Sequence, residues 1–384
     1  MSRPSLLSAI LLSFAALVVS PLPTTAQDPI QERIRRVLSR VPLIDGHNDL
    51  PGAIRGATTP EGDVGVYDLR ERVSGDTDLS RLREGMVGAQ FWSVHVDVAE
   101  PRPARQQLEQ IDIAHRMIEA YPDRLEFAGS ASDIERVFGS GKIASMLGIE
   151  GGHVIENSLG ALRAFYRAGV RYMTLTHFAN TDWADSATDD VVNDGLSPFG
   201  EEVVREMNRL GMLVDISHVS PATMSDALDV TEAPVIFSHS GARALADNPR
   251  NVPDSILRRL RENGGVVMQV FYPPYVSETG PATLADVADH IEHIRDVAGI
   301  DHVGIGSDFD GIPTYVVGLE DVSKFPALFE ELARRGWPDE DLGKLAGENL
   351  LRVMREAEAV ARRVRRERPP STRTIEDLDR GRIG

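Results

Sequence analysis

Cysteine is absent from all 384 residues. That removes disulfide frameworks, thiolate zinc sites, cysteine nucleophiles, iron–sulfur clusters and lipid attachment through cysteine. Any metal must be held by histidine, carboxylate or backbone oxygen. Lysine is nearly absent too, occurring only as Lys142, Lys324 and Lys344. Positive charge as a whole is scarce, with 41 basic against 59 acidic residues and a formal net charge of −18. So acidic a chain lacks the basic face that nucleic acid or an anionic membrane surface requires. Beyond the first residues there is no apolar run long enough to cross a bilayer.

What is present begins with a leader. Arg3 precedes an apolar run from Leu6 to Val19, followed by Pro21, Pro23 and a small residue at Ala26. This pattern reads as a secretory signal over residues 1–26, cut after Ala26. It predicts an exported protein, periplasmic or secreted, with no stable membrane anchor after cleavage. With 42% hydrophobic residues, the remainder can build a large core.

From Leu43 onward, apolar, β-branched runs alternate with helical periodicity. The strand candidates are Leu43–His47, Val87–His95, Ile143–Glu150, Tyr172–His177, Leu213–His218, Val235–His239, Gly265–Phe271 and Val303–Asp308. Helical pattern covers Ala104–Ala120, Ala161–Ala168, Glu201–Leu210, Pro221–Leu228, Asp254–Asn263 and Leu284–Ala298. Gly169, Gly211 and Gly299 stand just beyond three of these, where a left-handed cap is wanted. Nearly continuous apolar strands separated by helices indicate parallel strands buried on both faces. Eight such units predict an α/β fold, a (β/α)8 TIM barrel of metal-dependent hydrolase type with terminal helices, over residues 28–360. An open doubly wound sheet is the alternative, but no G-x-G-x-x-G follows an early strand. Residues 361–384 read as a solvated helix end and a flexible tail.

Most of these strands end in a side chain able to bind metal: His47, Glu150, His177, His218, His239 and Asp308. One histidine at a strand end is commonly structural. Six such ends on one barrel should converge, because barrel enzymes gather their chemistry at the C-terminal mouth. In an extended segment His47 and Asp49 would point to the same side and grip one cation. Glu150 has two oxygens with which to bridge a second, completed by His218 and His239. Imidazole with carboxylate favours zinc or another borderline ion over calcium or magnesium.

The motifs IDGHNDLP (Ile44–Pro51), GIEGGH (Gly148–His153), TLTH (Thr174–His177), DISH (Asp215–His218) and SHS (Ser238–Ser240) carry a family resemblance. So do NPRN (Asn248–Asn251), GSDFDG (Gly306–Gly311) and LEDVSKFP (Leu319–Pro326). Together they resemble the membrane (renal) dipeptidase family of zinc peptidases in the amidohydrolase superfamily, from about Val41 to Met354. Many related amidohydrolases bridge their metals with a carboxylated lysine, yet none of the three lysines falls at a strand's C-terminal end. Glu150 is left as the bridge, as in the dipeptidase branch.

The resemblance implies two zinc ions, bridged by Glu150 and a water or hydroxide. His47, Asp49 and Glu150 would hold one, and Glu150, His218 and His239 the other. It further implies that Asp308 relays the proton, His177 stabilises the oxyanion, and Arg250 pairs with the carboxylate of a small dipeptide. For Asp308 a third-ligand role is the alternative, and for Arg250 a rim salt bridge or helix cap. Tolerance of a D-residue at the C-terminal side is a family expectation. His95 reads as pocket lining, His153 as a neighbour of the site or a hydrogen-bonding loop residue, His290 and His293 as a solvated helix face, and His115 and His302 as structural. Mammalian members have disulfides, a lipid-anchor signal and an aromatic residue where this chain has Gly52. Any homodimer here must therefore be non-covalent. An amidase acting on N-acyl amino acids and a non-catalytic binding protein on a barrel scaffold are the alternative functions.

Overall fold

A computed structural model describes residues 28–380. The expected signal, residues 1–26, lies outside the described residues. Among the described residues nine strands form one sheet: β1 (Leu43–Asn48), β2 (Val87–Ser93), β3 (Leu125–Phe127), β4 (Ile143–Glu150) and β5 (Val170–Thr174), then β6 (Leu213–Asp215), β7 (Ile236–Ser240), β8 (Val266–Gln269) and β9 (Val303–Ile305). The order β2-β1-β9-β8-β7-β6-β5-β4 closes through a β2–β4 pairing, and every pairing is parallel. This is a closed eight-stranded (β/α)8 barrel. The additional β3 pairs only with residues 143–145 of β4, filling the gap below the β4–β5 pairing. Three residues are too few to give a readable period in the sequence, which is why this strand was not expected.

All eight expected strands occur, but several stop short of their expected ends. β2 ends at Ser93, β5 at Thr174, β6 at Asp215 and β9 at Ile305, so His95, His177, His218 and Asp308 lie two or three residues beyond. Ladder bonding persists past those ends, with Ile216 N donating to Ile236 O, Gly306 N to Gln269 O and Asp308 N to His47 O. The backbone then leaves the strand direction, and His218 (φ 67°) and Asp308 (φ 71°) occupy the left-handed region. Few residues other than glycine settle there unless surrounding contacts hold them.

The expected helices are present with small boundary shifts. Gly211 closes Pro198–Leu210 in the left-handed conformation, whereas Gly299 adopts φ 105° and ψ 157° and is not such a cap. At Gly306 a Cβ would lie 1.8 Å from the Ser238 carbonyl oxygen, so β7 and the end of β9 approach at backbone distance.

Up to Arg380, the last described residue, the expected solvated tail is instead packed. The last long helix, Asn349–Glu367, runs past Ala361, and the chain then packs back on the body. Ser197 Oγ donates to Asp379 Oδ2 at 2.6 Å and Phe199 N to Asp379 Oδ1 at 3.0 Å, while Ile375 is buried. Asp379 thereby supports the first turn of the helix Pro198–Leu210, where free N–H groups favour an anion. Among the described residues, no helix is long and apolar enough to cross a membrane.

Candidate metal centre and active site

Glu150 ends β4 at the centre of the barrel mouth. Its Oε1 lies 3.0 Å from His218 Nε2 and 3.3 Å from His239 Nε2, and those two nitrogens are 2.8 Å apart. Its Oε2 faces the other way, 3.6 Å from His47 Nε2, which is in turn 3.3 Å from Asp49 Oδ2. The two oxygens of one carboxylate thus face different imidazoles, although donor atoms of His47, Glu150 and His239 also lie within 4.8 Å of one another. A tetrahedral zinc with bonds of 2.0–2.1 Å spaces its ligand atoms about 3.3 Å apart. These distances, 2.8–3.6 Å, come close to that spacing, and Nε2 of His47 is buried with no hydrogen-bond partner. The donors present therefore fit a pair of divalent cations.

One premise about Asp49 needs correcting. It is not extended; at φ −93° and ψ 20° it stands at the N-terminus of the helix Leu50–Ala57. It reaches His47 because Asp49 N donates to Phe309 O, which turns the chain at the rim.

A buried frame orients these side chains. Tyr172 Oη lies 2.8 Å from His47 Nδ1, and Ser238 Oγ lies 2.8 Å from His239 Nδ1. Asp45 accepts from Ser307 N, Ser307 Oγ, Gln90 Nε2 and the His47 amide, tying β1 to β2 and to the segment after β9. Burial raises its carboxyl to about 6 against those hydrogen bonds. Neither Asp45 nor Tyr172 was singled out in the sequence. Asp45 lies inside IDGH and Tyr172 heads a strand candidate, but neither ends a strand, and strand ends were the signal followed.

Electrostatics at Glu150, His218 and His239 is consistent with ligation, whereas at His47 the lowering by burial is outweighed by Tyr172, Glu150 and Asp49, which hold the imidazole well above its ordinary range. Burial pushes the Glu150 carboxyl up, but His47, His177 and hydrogen bonds from His218 and His239 outweigh it and hold the group well below the usual range. Burial keeps His218 and His239 well below the ordinary imidazole range, in the neutral form whose lone pair can bind metal. His177 is lowered to about 4, chiefly by burial, with its Nε2 3.7 Å from Glu150 Oε1. Asp308 Oδ1 is 4.0 Å from His47 Nε2, and donor atoms of His47, Asp49 and Asp308 lie within 4.8 Å of one another. Burial, aided by the carboxylates of Asp49 and Glu150, pushes the Asp308 carboxyl well above its ordinary value.

Arg250 is buried, with 1% of its surface exposed. Its Nη2 donates to His239 O at 3.2 Å and the guanidinium packs over the Tyr275 ring, while Nε and Nη1 have no partner. Among the described residues Arg250 forms no salt bridge, contrary to that alternative. All eight candidates, His47, Asp49, Glu150, His177, His218, His239, Arg250 and Asp308, therefore meet at one mouth.

The other histidines divide. His115 bonds Ala168 O and His302 bonds Gly265 O, so both are structural as expected. His290 is not solvated; it is buried between Ala242 N and Val276 O. His95 comes to 3.4 Å from Glu150 Oε2. Lys142 pairs with Glu126 and Lys344 with Asp301, away from the metal-binding side chains.

The sequence model of the membrane dipeptidase family, peptidase family M19, matches residues 31–368. The chain belongs to that family. Among solved structures, the probable dipeptidase PvdM of Pseudomonas aeruginosa is similar with a TM-score of 0.79 and 25% identity, over 86% of this chain and 99% of that one. A metallo peptidase of Rhodobacter sphaeroides, liganded with a phosphinate mimic of the dipeptide L-Ala-D-Ala, gives 0.74 and 26%, over 83% and 99%. Dipeptidase AC, described as a metallo peptidase, gives 0.76 and 26%, over 83% and 98%. The motif resemblance to this metallodipeptidase family is therefore correct.

Proposed function

We propose that this chain is an exported dizinc dipeptidase that hydrolyses the peptide bond of small dipeptides. His47, Asp49 and Glu150 would hold one zinc, and Glu150, His218 and His239 the other. Bound there, the pair supplies an activated water and polarises the scissile carbonyl.

The protein's own groups do the rest. Asp308, beside His47 and Asp49, accepts a proton from the attacking water and returns it to the leaving amine. His177, neutral and within reach of Glu150, offers a hydrogen bond to the oxygen that gains charge. Arg250 clamps the substrate's terminal carboxylate through one of the two nitrogens that have no protein partner together with the second hydrogen of Nη2, the pair that shares an edge of the guanidinium. A fixed clamp close to the metal-binding side chains selects chains that end one residue past the cut bond. Tolerance of a D-residue at that end is part of the proposal, supported by the L-Ala-D-Ala mimic in the Rhodobacter relative.

The observation that carries the reading is the buried, carboxylate-free guanidinium of Arg250 beside a two-sided donor cluster. Zinc-loaded protein should turn over free dipeptides and discriminate strongly against C-terminal amides of the same sequences. Absence of turnover on any dipeptide would sink the reading. Equal rates on free and blocked forms would point to a general amidase.

A further inference from the structure

We infer that His95, Glu150 and His177 form a third cation site, weaker than the two of the main centre and inhibitory when filled. It rests on the proposed function for the two inner zinc ions and for the loss of activity; the site itself rests on geometry.

His95 Nδ1 lies 3.4 Å from Glu150 Oε2, and His177 Nε2 lies 3.7 Å from Glu150 Oε1. One ligand atom from each of the three residues falls within 4.8 Å of the other two. The imidazole centroids are 4.6 Å apart, so both rings flank the same carboxylate. Nδ1 of His95 is buried and has no hydrogen-bond partner. A buried nitrogen left unpaired is costly, and a cation would satisfy it.

Neither imidazole is needed by the two donor groups already described. The new set, two nitrogens and a carboxylate, suits zinc or copper and is poor for calcium or magnesium. Its position is also distinct. The His95 side chain is 29% exposed and that of His177 14%, against 0–3% for His47, His218 and His239. An ion can therefore enter from solvent without disturbing the inner donors.

Two consequences follow from sharing Glu150. Its single negative charge is already divided between two cations, so a third is held less firmly. Once held, it occupies Nε2 of His177 and stands in the mouth through which a dipeptide must approach. Activity should rise with free zinc, pass through a maximum, and fall.

Equilibrium dialysis against zinc sulfate, with zinc counted per chain by mass spectrometry, tests this without reference to activity. Wild type is expected to bind two equivalents, then a third at free zinc at least tenfold higher. His95→Phe is expected to stop at two. Dipeptide turnover, normalised to each protein's own maximum, should decline over that upper range in wild type alone, and added dipeptide should relieve the decline. A wild type that stops at two, or a third equivalent kept by His95→Phe, overturns the site. Inhibition that His95→Phe leaves in place overturns the mechanism. If His95→Phe fails to bind even two, His95→Gln is measured the same way and must stop at two. Failure of all dipeptide turnover would refute the proposed function while the zinc count still decides the third site.

Discussion

Arg250→Met separates function from stability at one position. In the free protein the guanidinium is buried and donates one hydrogen bond, to His239 O, with Nε and Nη1 unsatisfied. Methionine fills similar apolar space and leaves no unpaired charge behind. Replacing a buried charge by a packed apolar group is often neutral or stabilising, by about 1–4 kcal/mol. The variant should therefore unfold at the same denaturant concentration as wild type or a higher one.

Catalysis should respond in the opposite direction. Hydrogen bonds to charged groups contribute about 1.5–3 kcal/mol each, so a bidentate clamp on a carboxylate is worth roughly 3–6 kcal/mol. At about 1.4 kcal/mol per decade, kcat/KM for free dipeptides should fall by roughly 10² to 10⁴. The substrate carboxylate is unchanged by the reaction, so most of the loss should appear in KM and less in kcat. C-terminal amides should be nearly unaffected, which erases the preference for free over blocked dipeptides. Arg250 also helps to hold the Asp308 carboxyl down against burial. Without it Asp308 protonates more readily, and the acidic limb of the pH–rate profile should move to higher pH. Steady-state kinetics on matched free and amidated dipeptides, beside urea unfolding, reads all of this. A variant that loses stability and slows equally on both substrate forms would mean that Arg250 is a structural residue, and would refute the reasoning.

Three further outcomes are expected. Asp308→Asn should cut kcat by roughly 10² to 10⁴ while zinc content stays at two per chain, whereas loss of zinc would make Asp308 a ligand. Glu206 is buried and bonded to Arg209 and Arg163. Burial raises its carboxyl, but the two arginines outweigh burial and leave it below the usual range. A depressed carboxylate stabilises above its unfolded pKa of about 4.3 and loses that contribution as pH falls through its folded value. Glu206→Gln should therefore cost about 3 kcal/mol at pH 7 by denaturant unfolding, and progressively less below pH 4. A gap independent of pH would exclude the ion pair as its cause. Gly306→Ala forces a Cβ against Ser238 O and should cost about 3 kcal/mol, while Gly139→Ala, with nothing within 4 Å, should be neutral or slightly stabilising. Equal midpoints for the two variants would contradict the close approach of β7 to the end of β9.

The barrel was legible because its signal is repeated. Each apolar run is short and ambiguous alone, but eight in alternation with helices admit few topologies. The candidate site was legible for a related reason: His47, Glu150 and His239 end or nearly end their strands, and a parallel barrel sends every strand end to one mouth. What escaped depends on turns and distant contacts, which leave no period. The sequence does not say that His218 and Asp308 leave their strands at positive φ, nor that Asp49 heads a helix while still reaching His47. Asp379 looked like part of a solvated tail because its partners, Ser197 and Phe199, lie some 180 residues away. His95 is the instructive case. It ends an expected strand as the others do, yet it reads as pocket lining rather than as part of the core site. The barrel's geometry nevertheless brings its unpaired Nδ1 to the bridging carboxylate. Convergence at the mouth depends only on where a strand ends, so strand-end position alone points to His95, and the zinc count of His95→Phe tests that criterion.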